Sequence, residues 1–100
     1  MPKLTMTVPH ALGQQEAIQR LQERFQAAIQ SYQDRVQGLQ QQWNDNALTY
    51  RFQAFGMSVN GSARVEPSEV TVVMELPLMA TMFQGTIEKR LREKLGEILA

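Results

Sequence analysis

Few residues of this chain have the types and spacing that an active site requires. His10 is the only histidine, and the chain has no cysteine. A lone imidazole directly after Pro9 has no second histidine or cysteine with which to share a metal, so it is more typical of a helix entry than of a catalytic base or a metal ligand. The sequence therefore predicts no catalytic residue, no metal site and no bound cofactor.

The acidic and basic residues of the predicted sheet are the next candidates. Glu66, Glu69 and Glu75 fall on the polar sides of alternating segments. A paired-carboxylate site needs two acids in one cleft with their pKa values pushed apart, and this spacing does not provide one. Arg51 and Arg64 also lie on polar strand positions, but ten basic and ten acidic residues cancel in the whole chain. Without a net positive charge or a basic, aromatic-rich motif, we expect no binding to nucleic acid.

The segment from Leu76 to Phe83 carries most of the functional information. It contains six apolar side chains besides Pro77, and they follow no clear alternation. Packing beneath the last helix would account for several of them. An exposed remainder would form a contact surface for a partner, a membrane or a hydrophobic polymer, and methionines adapt well to such surfaces. Both alternatives stay open, and the candidate contact residues are Leu78, Met79, Met82, Phe83 and Phe55, the last on the polar side of its strand.

Composition limits the class of protein. A chain of 100 residues fits one domain over residues 1–100. There is no run of about 18 apolar residues that could cross a bilayer, and the first residues lack the continuous apolar segment of a signal peptide. The absence of cysteine suits a reducing compartment. We therefore expect a cytoplasmic domain with no membrane span.

The elements that must position these residues begin with a strand and a helix. Apolar residues alternate from Leu4 to Val8, which is the period of a half-buried strand. From Gln14 the period changes to that of an amphipathic helix. This helix either ends near Tyr32, followed by a strand from about Val36 to Trp43, or continues as one long helix. We favour the first alternative, since Asp34 and Gly38 are poor helix formers.

The second half of the chain alternates more regularly. Asn44-Asp45-Asn46 is typical of a hairpin turn, and alternating segments follow it up to Leu76. Thr81-Met82-Phe83-Gln84 has the spacing of a capping box at the start of a last amphipathic helix. We therefore predict an α+β fold, an antiparallel sheet of four or five strands with two helices packed on one face, in the order β-α-β-β-β-β-α.

The order of these residues resembles the small bacterial proteins of the polyhydroxyalkanoic acid system family. The similarity covers nearly the whole chain and is densest from Trp43 to Glu88. No single motif is specific, and the match depends on order and spacing. The matching residues are Pro9-His10-Ala11-Leu12-Gly13, Glu16-Ala17, Trp43-Asn44-Asp45-Asn46, Leu48, Phe52, Gly56 to Gly61, Val70 to Leu78, and Phe83 to Glu88.

The resemblance implies a link to polyhydroxyalkanoate, a hydrophobic polyester stored as cytoplasmic granules. It carries no catalytic residues onto this chain. The leading hypothesis is a non-enzymatic accessory protein on storage granules, with the polymer or granule proteins as partners. Two alternatives stay open: a homodimeric protein-interaction module, and a binder of small hydrophobic ligands with a cavity between sheet and helix. Tyr32, Trp43, Tyr50 and Phe52 would line that cavity, although aromatics in so small a domain more often form the core.

Overall fold

A computed structural model describes residues 3–30, 36–54 and 56–100 of the chain. The described residues form five strands, two α-helices and one 3₁₀ helix. In chain order these elements are β1 (Lys3–Pro9), α1 (Gln14–Gln30), β2 (Val36–Asn44), β3 (Ala47–Ala54), β4 (Met57–Val65), β5 (Glu69–Glu75), the 3₁₀ helix (Leu78–Phe83) and α2 (Gln84–Ile98).

The five strands form one sheet in the spatial order β1-β5-β4-β3-β2. Every neighbouring pair is antiparallel. Strands β2 to β5 pair consecutively as hairpins, and β5 also pairs with β1 at the edge of the sheet. The predicted α+β class, the order of strands and helices along the chain and the predicted four or five antiparallel strands are confirmed. The outer strands of this sheet are β1 on one side and β2 on the other.

Alternation along each strand places the apolar side chains on the face that the helices cover. In β1 every second residue is buried. The residues of β5 that pair with these buried residues are buried as well. The register aligns these residues in rows across the sheet; one such row is Met6, Val72, Ala63 and Leu48. The opposite face carries the polar alternates and is called the open face below.

The two α-helices cover the apolar face with the stripes that the sequence predicts. Ala17 and Leu21 of α1 are buried, as are Leu95 and Ile98 of α2. Further apolar residues of both helices pack against the same core. The predicted helix end near Tyr32 lies outside the described residues. The strand predicted after it is confirmed, because β2 runs from Val36 to Asn44.

Backbone conformations at the turns explain where the strands end. Asp45 adopts a φ of 56° between β2 and β3, a left-handed conformation that aspartate tolerates in hairpin turns. Gly56, with a φ of 75°, lies in the turn before β4. Between β4 and β5 the Glu66 amide donates to the Glu69 carbonyl at 2.8 Å. Pro67 therefore occupies the second position of a tight turn, as the sequence indicates.

The centre of the sheet is held by a tyrosine that lies across a glycine. Tyr50 on β3 pairs directly with Gly61 on β4. Since Gly61 has no side chain, the phenol extends over it and donates a hydrogen bond of 3.2 Å to the Val73 carbonyl on β5. The ring also contacts Phe25 of α1, with centroids 5.8 Å apart, and stacks on Phe52 at 6.1 Å. One side chain thus links three strands and a helix.

The first prediction concerns the space above Gly61. In Gly61→Ala the new methyl group would overlap the Val73 carbonyl oxygen and lie 2.7 Å from the Tyr50 hydroxyl. We expect the free energy of unfolding to fall by about 2 kcal/mol or more, measured by urea denaturation. Gly96→Ala is the control, because its methyl group would meet nothing within 4 Å. On α2 this change should stabilise the chain slightly. Equal stability of both variants would contradict the packing described here.

The second prediction concerns alkaline pH. Burial raises the pKa of the Tyr50 phenol well above its ordinary range. Folding therefore favours the protonated phenol, and this contribution is complete below the unfolded-state pKa of about 10 and decreases as the pH rises toward the folded-state value. Tyr50→Phe should cost about 1 kcal/mol at neutral pH, through loss of the hydrogen bond. It should also make the decline of stability above about pH 10 less steep than in the parent chain.

The chain has two tyrosines, so the ionisation of Tyr50 can be isolated. In a Tyr32→Phe background, phenolate absorbance reports Tyr50 alone. We expect this absorbance to rise together with unfolding and not before it. If the folded protein showed a phenolate signal near pH 10, the ordinary pKa of tyrosine, Tyr50 would not be buried as described.

Candidate functional site

An exposed apolar surface lies between the sheet and the last helix. Leu78, Met82 and Phe83 have 78%, 80% and 56% of their surface exposed, all within or at the end of the 3₁₀ helix. These three residues are called the apolar patch. Large apolar side chains in such positions cost solubility and are typical of contact sites.

The local sequence explains why these side chains are not buried. Leu76 is buried at the end of β5, with 1% of its surface exposed. Pro77 follows in an extended conformation, with φ −62° and ψ 154°, so the chain leaves the sheet before the 3₁₀ helix begins. Beyond the patch, Ile87 and Leu91 of α2 pack against the core. The patch is therefore a short segment held at both ends.

The predicted capping box at Thr81 to Gln84 is wrong. The helix α2 begins at Gln84, and the residue before it, Phe83, makes no side-chain capping bond. The Thr81 hydroxyl instead donates to the Leu78 carbonyl at 2.7 Å within the 3₁₀ helix. A 3₁₀ turn in front of the α-helix shifts the helix start beyond the reach of the threonine.

The structure brings three of the five candidate contact residues into one segment: Leu78, Met82 and Phe83. The backbone of Met79 belongs to the same 3₁₀ helix. Its side chain lies outside the described part of the structure. Phe55 also lies outside the described residues. The sequence named these residues as candidates but left open whether they pack beneath the last helix or are exposed, because the apolar residues of the segment have no period.

His10 lies in a polar junction where three turns of the chain meet. Its Nε2 lies 3.0 Å from the Glu66 carbonyl, and its Nδ1 accepts a 3.2 Å hydrogen bond from the Leu12 amide. Because Nδ1 accepts, Nε2 carries the proton and donates to Glu66. Both ring nitrogens are therefore engaged by the backbone. This geometry agrees with the predicted role at the entry to α1.

The same junction includes two side-chain amides. Gln14 and Asn46 each donate a 2.9 Å hydrogen bond to the carbonyl of Val65, which is fully buried. The Val65 amide in turn donates to the Asn46 carbonyl at 2.9 Å. These bonds join the start of α1, the β2–β3 hairpin and the end of β4. Gln14 and Asn46 therefore satisfy buried backbone groups, and this structural role accounts for their presence without a catalytic one.

The carboxylates of the sheet do not converge on a cleft. Glu69 is exposed, whereas Glu66 and Glu75 are half-buried. In the strand register Glu75 lies between Lys3 on β1 and Asn60 on β4. Within residues 3–30, 36–54 and 56–100, no group of three acidic, histidine or cysteine side chains is placed to hold a metal ion.

A shallow depression of about 660 Å³ lies on the open face of the sheet. Sequence reasoning did not assign it, although the alternating polar residues of the strands indicate such a face. Its lining is polar apart from a few residues, and it consists of Lys3, Gln40, Gln41, Gln42, Thr49, Tyr50, Arg51, Asn60, Gly61, Ser62, Val73 and Glu75. Tyr50 and Phe52, which would line a cavity beneath the helices in the ligand-binding alternative, are buried in the core, the more frequent place for aromatics in so small a domain.

Neither α1 nor α2, as far as the structure describes them, combines the length and apolar character needed to cross a bilayer.

Comparison with known protein families identifies the chain. A family model described as "Putative polyhydroxyalkanoic acid system protein" matches residues 4–99, which include the sheet except for the first residue of β1, the apolar patch and both helices. Searches of curated proteins and of solved structures find no match. The match spans almost the whole chain and agrees with the resemblance seen in the sequence. The chain belongs to the polyhydroxyalkanoic acid system protein family.

Proposed function

We propose that this chain is a non-enzymatic accessory protein of polyhydroxyalkanoate granules, and that the apolar patch contacts the polymer or a protein on the granule. The observation that carries the proposal is the exposure of Leu78, Met82 and Phe83 in a chain of this family. In this proposal the protein is cytoplasmic and accumulates at the granule surface.

The chemistry of the polymer fits the patch. A polyhydroxyalkanoate presents alkyl groups and ester carbonyls and carries no charge along its chain. Burial of apolar side chains against such a surface yields about 25 cal/mol for each Å² removed from water. The exposed methionine has a flexible, polarisable side chain that adapts to an irregular surface. No charged side chain interrupts the sequence from Leu76 to Thr86.

The attachment of the patch to the fold favours contact without unfolding. Leu76 on one side and Ile87 on the other belong to the core or pack against it. The exposed residues between them therefore need little ordering when they meet a surface, which lowers the entropic cost of binding. Removing them should weaken binding while leaving the core intact.

The third prediction tests the patch directly. The double variant Leu78→Glu/Met82→Glu should lose most of its binding to granules, because a charged carboxylate cannot leave water for an apolar polymer without a large cost. Met79→Glu, added to it, extends the test to the remaining methionine of the segment. Binding is measured by sedimentation of isolated granules and of protein-free polymer particles. The unfolding temperature should change little, since Leu78 and Met82 are exposed.

The matched control places the same charges on the surface of α1. Gln15→Glu/Gln22→Glu adds two carboxylates at exposed positions far along the sequence from the patch. This variant should bind as the parent chain does.

Binding to granules but not to bare polymer would identify a granule protein as the partner. Unchanged granule binding by a folded patch variant would remove the patch from the proposal.

The proposal also predicts where the protein is found. Under carbon excess, the native host should contain the chain in the granule fraction more than in the remaining cell extract. An even distribution, or a host that makes no polyester, would argue against granule association as a whole.

A further inference from the structure

The two edges of the sheet are closed to very different degrees. On the β1 edge, α2 packs beside the strand, and Arg92 donates a 3.1 Å hydrogen bond from Nη1 to the Thr7 carbonyl. Arg92 is itself fixed by Glu88 at 3.2 Å. A side chain thus occupies an outward backbone group of β1, and Pro9 ends the strand. Such features prevent pairing with another strand.

Among the residues that the structure describes, no helix packs beside β2 as α2 does beside β1. From Val36 to Asn44 the strand contains no charged residue and no proline. Its register with β3 is irregular between Gln37 and Gln40, where Gly38 adopts a φ of 64°. Beyond this irregularity, residues 40–44 pair regularly with β3 and form an uncharged outer edge.

The hydrogen-bonding direction of this edge follows from the hairpin. The Gln42 carbonyl receives the Thr49 hydroxyl of β3 at 3.4 Å, so its backbone oxygen faces inward. In an antiparallel ladder the inward and outward backbone groups belong to alternate residues. Gln41 and Trp43 therefore direct their amides and carbonyls away from β3. An edge with such groups is a template for a further strand.

We propose that the β2 edges of two copies of this chain pair antiparallel and join the two sheets into one. The two-fold axis passes beside Gln42, so that Gln42 faces its own equivalent. Gln41 then exchanges both backbone hydrogen bonds with Trp43 of the second copy, and Gln40 lies opposite Asn44 of the second copy. This arrangement uses the whole regular part of β2 and satisfies the outward groups of both strands.

Self-complementarity is the reason for choosing a second copy as the occupant. In a two-fold interface each residue must tolerate its own kind or its symmetry partner. A glutamine amide both donates and accepts, so Gln42 can bond to itself across the axis, which a lysine or glutamate could not. The nearest charges also have opposite signs: Arg51 pairs with Gln40, and Asp45 follows Asn44. Trp43, partly buried against the core, would gain cover from the second copy.

The fourth prediction concerns charge introduced at the two-fold axis. Gln42→Lys and Gln42→Glu each place like charges opposite one another and should weaken self-association at least tenfold. An equal mixture of the two variants should associate again, because opposite charges then meet. Sedimentation equilibrium should give twice the 11.4 kDa chain mass for the parent protein and for the mixture, and the single mass for each variant alone.

The matched controls are Gln53→Lys and Gln53→Glu. Gln53 is exposed on β3, one strand inside the edge and far from the axis. These variants should associate as the parent chain does. Trp43 is the only tryptophan, so its fluorescence should shift to longer wavelength when the parent dimer dissociates on dilution.

A measurement on the unmodified chain tests the proposed dimer independently of any substitution. Amide hydrogen exchange at Gln41 and Trp43 should be slow in the dimer and accelerate on dilution. The proposal is overturned by a parent chain that stays monomeric at millimolar concentration, by a dimer that either Gln42 variant leaves intact, or by a mixture that fails to associate. It does not depend on the apolar patch, so granule binding and dimer formation can fail separately.

Discussion

The contact between Tyr50 and Gly61 is the constraint on which the sheet depends. A glycine within a strand ordinarily weakens it, because it has no side chain to pack. Here the missing side chain provides the space for a phenol that starts on β3, crosses β4 and bonds to the Val73 carbonyl on β5. The same ring contacts Phe25, so the position of α1 over the sheet is fixed by this residue as well.

Several polar residues in this fold complete the backbone. His10, Gln14 and Asn46 satisfy carbonyls where the chain turns, and Arg92 covers an outward carbonyl of β1. The two surfaces proposed for partners are of a different kind: apolar side chains after β5 and uncharged backbone along β2. The apolar patch follows β5, which lies three strands away from β2 in the sheet.

Much of the fold could be predicted from the sequence, since each strand buries one face and each helix one stripe. The strand after α1 was predicted correctly because Asp34 and Gly38 disfavour a long helix. The capping box was wrong because Pro77 starts a 3₁₀ helix whose own carbonyl takes the Thr81 hydroxyl. The role of Gly61 was missed because its partners, Tyr50 and Val73, are distant in sequence. For the site, the sequence named Leu78, Met82 and Phe83 as candidates but left packing beneath the last helix open as the alternative; the structure shows these three side chains exposed.

The sequence by itself determined the α+β class, the order of elements, the family and the segment rich in apolar side chains. These features follow from local periods and from the order of short motifs. Only the tertiary structure decided that Leu78, Met82 and Phe83 are exposed while Leu76 is buried. It alone distinguished the edge closed by Arg92 from the open edge of β2. Exposure and edge closure depend on which distant elements cover a residue, and no local period encodes that.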